Sequence, residues 1–383
     1  MTLPQRPRVT GLSGDRFRVL YTLIGDESDV QARALDICLE QTVEFPGDLV
    51  PDGDIRDHIV GQIDSLDRLD DRRYAAWISY AVETVGAELT QFLNVVFGNI
   101  SIKPGIRVEQ FDLPDSLLAQ FKGPRFGVWD WRKLLNVPVR PLLCTALKPM
   151  GLSAAELAKL AGQFALGGLD LIKDDHGLAN QPFAPFEERV ERCAEAVARA
   201  NAQTGLRCAY MPNITAPADQ VLERARFAKQ AGAGALLICP GLVSFDVMRQ
   251  IADSDDIDLP IMSHPSFYGS FVTHEDNGVS HYALYGQLQR LAGADASIYP
   301  NFGGRFAFTR AQCEQIVAGC AVPMGQLKPI FPTPGGGMNM HSIPTIREVC
   351  GQHAIYLIGG GLHRHSADLV ANVQHFLNLV ETH

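Results

Sequence analysis

Gly167-Gly168-Leu169-Asp170-Leu171-Ile172-Lys173-Asp174-Asp175-His176 reads as a short apolar strand that ends abruptly in a lysine and three potential metal ligands. Side chains alternate along a strand, so Lys173 and Asp175 project to one side at its carboxyl end while Asp174 points away. His176 follows where the strand opens into a loop. A lysine beside an acidic residue supports two readings. One is a plain ion pair; the other is an amine that reacts with CO2 to form a carbamate and so becomes an anionic oxygen ligand. The segment alone leaves both open.

Around this strand the texture is regular. Short apolar runs at 141–147, 169–173, 207–211, 235–239, 259–263, 296–299, 326–330 and 354–358 alternate with helical patterns such as 154–165, 185–202, 216–231 and 309–318. Eight strand-then-helix units predict an α/β fold of the (β/α)8, or TIM-barrel, type, with a doubly wound sheet as the structural alternative. In such a barrel the chemistry belongs at the carboxyl ends of the strands, and the unusual residues gather there. Strand one ends in Thr145-Ala146-Leu147-Lys148-Pro149 and strand five in Ser263-His264-Pro265. Strand six runs into Asn301-Phe302-Gly303-Gly304-Arg305-Phe306, strand seven opens into Thr333-Pro334-Gly335-Gly336-Gly337, and strand eight into Gly359-Gly360-Gly361-Leu362-His363. Bare backbone N–H groups in two glycine triplets suit a phosphate, because no Cβ stands between the amide and the oxyanion.

Ahead of the barrel, residues 17–99 mix two strand-like runs with amphipathic segments, and the best-marked helix spans roughly 29–42. The turn-rich passage 103–136 reads as a junction, which divides the chain into a smaller domain, 1–125, and a barrel domain, 126–383. At 383 residues there is room for both.

A hydrophobic content of 46% with 20% charged residues describes an ordinary soluble globular protein. The net charge of −10 argues against a general nucleic-acid binder, whose phosphate contacts need a basic face. A small substrate is therefore expected. No run approaches the ~20 apolar residues of a membrane span, and the first residues lack a secretory apolar core, so the cytoplasm is the expected location. Eight cysteines stand singly, most within apolar runs, as buried reduced thiols do.

With Lys148, the Lys173-Asp174-Asp175 strand end and both triplets in order, the chain resembles the large subunit of ribulose bisphosphate carboxylase (RuBisCO). More closely it is similar to the RuBisCO-like proteins, the non-carbon-fixing form IV branch. Further matching pieces are Gly151-Leu152-Ser153, Asn180-Gln181-Pro182-Phe183 and the proline-rich approach to Gly335. The resemblance implies a ferredoxin-like α+β domain before the barrel. It makes Lys173 the carbamylated lysine, holding Mg2+ with Asp175 and His176, and Lys148 the acid or base of enolisation, its pKa lowered by burial and the adjacent cation. Glu40 matches an amino-domain glutamate that reaches into a neighbouring subunit's mouth, which implies a homodimer or a multiple of dimers. Arg305 takes the lysine position of the mobile loop after strand six, and His264 matches the histidine ending strand five. Gly336, Gly337, Gly360 and Gly361 would bind one phosphate. Asn94 is a candidate for the amino-domain asparagine, although its spacing is longer by one residue.

The departures carry as much as the matches. His176 replaces the usual glutamate, so Mn2+ or a similar ion is expected to be better tolerated than in the carboxylases. Met150 and Arg305 stand where carboxylases carry lysines, Pro265 where they carry the arginine for the second phosphate, and Gly335 where they carry its serine partner. The resemblance with these departures implies enolisation of a singly phosphorylated sugar rather than CO2 fixation. Candidate activities are isomerisation of 5-methylthioribulose 1-phosphate and decarboxylation, or transcarboxylation and hydrolysis, of 3-oxo-isoapionate 4-phosphate. The alternatives are the diketo-methylthiopentyl phosphate enolase of methionine salvage and a non-catalytic phosphate-ligand binder. Met338, Met340 and His341 suit either a thioether pocket or simple packing.

Overall fold

The structure, a computed structural model, describes residues 7–306 and 308–382. It divides into two compact units. The first runs through Lys122 and takes in Tyr268–Gln287 and Pro323–Leu327; the second holds Gly123–Phe267, Leu288–Val322 and the chain from Lys328 onward.

In the first unit the order is β1 (Arg16–Ile24), α1 (Glu27–Glu40), β2 (Gln62–Arg68), β3 (Arg73–Ala81), α2 (Leu89–Phe97) and β4 (Ile106–Asp112). Strict alternation buries Phe17, Val19, Tyr21 and Leu23 on one face of β1. Asp26 caps α1 by accepting from the Asp29 N–H at 3.0 Å. The strands order as β4-β1-β3-β2, antiparallel throughout, which is the ferredoxin-like arrangement. A two-residue strand, Gly278–Val279, extends the sheet in parallel beyond β4. The passage expected to be a plain junction therefore contributes β4, and residues 17–99 hold three strands rather than two. The prolines and glycines flanking 106–112 obscured its alternation.

The second unit is the barrel. Its strands are Leu142–Leu147, Leu171–Asp174, Ala209–Met211, Leu236–Ile238, Ile261–Ser263, Ala296–Pro300, Phe331–Gly335 and Ile355–Leu357. They form two parallel four-stranded sheets, ordered eight-one-two-three and four-five-six-seven. An isolated bridge between Asn213 and Leu237 joins strands three and four, and strands seven and eight lie side by side. Every strand sends at least one side chain into a common core, including Leu142, Leu171, Met211, Leu237, Met262, Ile298, Phe331 and Ile355. The helix Gly127–Leu135 adds Val128, Trp131 and Leu135 to that core.

Strand seven departs from expectation. The apolar run 326–330 is irregular, with the Lys328 and Pro329 carbonyls accepting from Arg290 Nε and the Val128 N–H at 3.0 Å each. The strand instead includes Pro332 and Pro334. The Phe331 N–H donates to Asp295 O on the strand-six side, so alternation turns the two prolines' missing donors toward strand eight, where no ladder bonds occur among the described residues.

Asp295 ties the foot of the barrel together. Its carboxylate accepts from the Phe126, Gly127 and Ile261 N–H groups at 2.8, 2.6 and 2.9 Å. Full burial nonetheless pushes its pKa up to about 6. A folded-state value above the unfolded one gives stability that is complete below about pH 4 and lost as pH rises through about 6. Relative to Asp295→Asn, the wild type is expected to lose about 3 kcal/mol between pH 4 and 7 in urea unfolding. A difference that does not change with pH would contradict this.

All eight cysteines are buried thiols. Among the described residues, no helix is long and apolar enough to cross a membrane.

Candidate active site

The alternation read from the sequence holds at strand two. Leu171 belongs to the barrel core, and Lys173, two residues on, lies between Ala146 of strand one and Met211 of strand three. Lys173 is only 3% exposed, and burial pushes its amine pKa down. Its Nζ donates to Asp174 O at 2.9 Å. Asp174 itself turns outward and is buried against Arg189 and Tyr210.

Asp175 contacts two of the other expected residues. Its Oδ2 pairs with Lys148 Nζ, and its Oδ1 lies 2.8 Å from His176 Nδ1. Burial works to raise its pKa, but the His176 contact and the Lys148 and Lys173 charges hold the carboxyl well below the usual carboxylate range. The His176 ring stacks on His264, centroids 4.2 Å apart and planes at 11°. Burial, then Lys173 and His176, keep His264 well below the usual histidine range, so its imidazole is neutral, with Nδ1 3.0 Å from Ser266 Oγ. Lys148, Asp175, His176 and His264 thus form one chain of contacts at the barrel mouth. Lys148 departs from expectation in one respect: its side chain is 39% exposed, because strand one has already turned into its loop at this residue.

The loop after strand six rests on the first glycine triplet. Asn301 N–H donates to Gly335 O at 2.9 Å, and Arg305 N–H to Gly336 O at 3.0 Å. The Arg305 guanidinium lies over the Phe306 ring. A Cβ on Gly337, at φ +101°, would stand 2.8 Å from Arg305 Cγ, and one on Gly336, at φ +80°, 3.0 Å from the Phe306 ring. Seating this loop is therefore a second reason for glycine here, beside the one inferred from phosphate. Gly335 is the last residue of strand seven rather than part of the loop. On the other triplet, Gly360 opens onto free space, while a Cβ on Gly361 would meet Met338 O at 2.8 Å.

Glu40 and Asn94 belong to the first unit. Glu40 ends α1 and accepts from Asn99 Nδ2 at 3.0 Å, with Lys103 Nζ 3.8 Å away. Asn94 does not meet Glu40; its side chain reaches Gln91 at 3.4 Å. Asn99, which the sequence reading did not single out, is the asparagine in contact with Glu40. The signal was Gly98-Asn99, where α2 stops: a Cβ at Gly98 would lie 2.4 Å from Asn94 O, so only glycine makes that turn.

Residues 127–377 match the ribulose bisphosphate carboxylase large chain, catalytic domain family. The chain belongs to this family. Within it, the chain is a RuBisCO-like protein of the form IV branch. It is 35% identical over 96% of its length, and 98% of the other chain, to "Ribulose bisphosphate carboxylase-like protein 1" of Rhodopseudomonas palustris. It is 36% identical, over 91% of each chain, to a "5-methylthioribulose-1-phosphate isomerase" of Rhodospirillum rubrum. The crystal structure of a RuBisCO-like protein from Rhodopseudomonas palustris superimposes with a TM-score of 0.87 at 36% identity, covering 96% of this chain and 98% of that one. This RuBisCO-like protein is a non-carboxylating enzyme, of the isomerase or lyase kind.

Proposed function

We propose that this RuBisCO-like protein catalyses metal-dependent enolisation, the removal of a proton next to a carbonyl, on a singly phosphorylated keto sugar or keto sugar acid. The observation that carries the proposal is the contact chain from Lys148 through Asp175 and His176 to His264, with Lys173 buried beside it.

Among the described residues, no three His, Cys, Asp or Glu side chains are grouped to hold a metal ion. Asp175 and His176, in contact at 2.8 Å, offer a carboxylate and an imidazole to a divalent cation, and a carbamate on Lys173 would supply a further oxygen ligand. Burial suits Lys173 to that reaction, because the neutral amine is the form that attacks CO2. Mg2+, or Mn2+ given the imidazole, would polarise the substrate carbonyl and offset the enediolate charge.

Lys148 moves the proton, its Nζ oriented by Asp175 and reachable from solvent at the mouth. Loop 301–306, seated on Gly335 and Gly336, excludes water above it, with Arg305 at its tip. Gly336, Gly337, Gly360 and Gly361 hold one phosphate through their N–H groups. Pro265 and Gly335 offer no cation or hydroxyl for a second one.

Isomerisation of 5-methylthioribulose 1-phosphate is the first activity to test. The name of the Rhodospirillum rubrum relative supports it, as do the two buried thioethers, Met338 and Met340, the first beside Gly361. The 3-oxo-isoapionate 4-phosphate reactions are the second, since they branch from the same enediolate. The enolase alternative draws on relatives such as the "2,3-diketo-5-methylthiopentyl-1-phosphate enolase" of Geobacillus thermodenitrificans, 31% identical over 92% of this chain. The working unit is proposed to be a cytoplasmic homodimer, or a multiple of dimers, in which a partner copy presents its Glu40–Asn99 pair. The related RuBisCO of Hyperthermus butylicus is dimeric, and Ile102, near this pair in sequence, is 84% exposed.

The test incubates the protein with bicarbonate, Mg2+ or Mn2+, and each candidate phosphate in D2O. Deuterium next to the carbonyl of at least one substrate is expected. Ligand binding without exchange across the whole panel would leave a phosphate-ligand binder and overturn the proposal.

A further inference from the structure

Behind the ligand-bearing strand end lies a buried polar cluster that the reaction itself does not use. Asp174, Arg189, Tyr210 and Asn213 are each at most 1% exposed. The Asp174 carboxylate accepts from Arg189 Nε at 3.1 Å, Tyr210 OH at 2.8 Å and the Asn213 N–H at 3.0 Å. From this anchor two side chains reach into the segment that follows His176. Asn213 Nδ2 donates to His176 O and Leu178 O, both at 2.9 Å, while Arg189 donates to Ala179 O at 2.8 Å and Ala184 O at 2.7 Å.

Asn213 is fully committed. Both amide protons are used, and its Oδ1 accepts from the Thr215 N–H and Oγ1 at 3.2 and 2.7 Å. No other side chain of this size offers two donors and an acceptor at one point. A buried ion pair is also a poor source of net stability compared with an apolar pair of similar volume.

We propose that Asn213 and Arg189, both anchored on Asp174, are positioning residues that fix the main chain of 176–184 and thereby set the angle at which Asp175 and His176 face a divalent cation. Asp174 sits between Lys173 and Asp175, so one residue's outward side chain controls the orientation of its two inward neighbours. The proposal rests on the metal reading above and extends it to residues that touch neither cation nor substrate.

The test compares the wild type with Asn213→Ala, Arg189→Lys and Tyr210→Phe by two readouts. Mn2+ with bicarbonate is titrated by electron paramagnetic resonance of the free ion, and amide hydrogen exchange is followed across 175–184. For Asn213→Ala the Mn2+ dissociation constant is expected to rise about 10- to 100-fold, with faster exchange at 176–184 and unchanged exchange in the helix Phe186–Thr204. Arg189→Lys keeps the charge but loses the fork and is expected to behave similarly. Tyr210→Phe, which removes a single hydroxyl, keeps the test open should the others fail to fold, with a shift of a few-fold. Faster exchange with unchanged Mn2+ affinity would reduce the cluster to loop bracing and overturn the proposal. A wild type that binds no Mn2+ at all would instead sink the metal reading on which it stands.

Discussion

Lys148→Ala is expected to slow deuterium exchange next to the substrate carbonyl by about 10^3-fold, within the 10^2- to 10^4-fold range of a positioned acid–base group. Binding of the phosphorylated ligand should survive, because the glycine segments and the remaining site residues are untouched. Lys148 also carries the positive charge that pairs with Asp175, so the alanine variant alone mixes two losses. Lys148→Arg separates them: it keeps a cation beside the carboxylate but cannot release a proton near neutral pH. Both variants should be equally slow if proton transfer is the lysine's work. Exchange at the wild-type rate in either one removes Lys148 from that role.

Lys173 carries the second large effect. The wild type is expected to gain activity on preincubation with bicarbonate and Mg2+, and 13C-bicarbonate should give a carbamate carbonyl signal in the NMR spectrum. Lys173→Met, which keeps most of the volume at this buried position, should lose both and bind the cation at least about 100-fold more weakly, beyond the range seen when only a partner of a ligand is removed. Its unfolding midpoint should change little or rise, since a buried amine is replaced by an apolar chain. Indifference of the wild type to bicarbonate would leave Lys173 as a buried amine bonded to the Asp174 carbonyl.

Much of the barrel was legible because its strands are short apolar runs at steady spacing, and seven of the eight lie where that pattern put them. The seventh was displaced because Pro332 and Pro334 look like loop residues. They are tolerated only because strand seven bonds to one neighbour through Phe331, Thr333 and Gly335. The first unit was less legible, since β4 is framed by turn residues and pairs with β1, far back in the chain.

At the site, Lys148, Asp175, His176 and His264 were readable because each ends a strand, and strand ends of a barrel converge. What the sequence hid were contacts set by tertiary placement. Asn99 rather than Asn94 meets Glu40, 59 positions away in sequence. Asp174 gave no hint of its partners, 15 and 39 positions further along. Only folding brings such pairs together, and no periodicity announces them.

The two prolines of strand seven have one more consequence. They leave the cylinder a split ring, with no ladder between the seventh and eighth staves among the described residues. The paired glycine runs flank that slit on either side. Among the described residues, prising them apart by an ångström breaks no ladder hydrogen bond, whereas widening most other joins in the wall would unzip one. The phosphate grip proposed above would therefore span a join of the barrel that carries no main-chain ladder among the described residues.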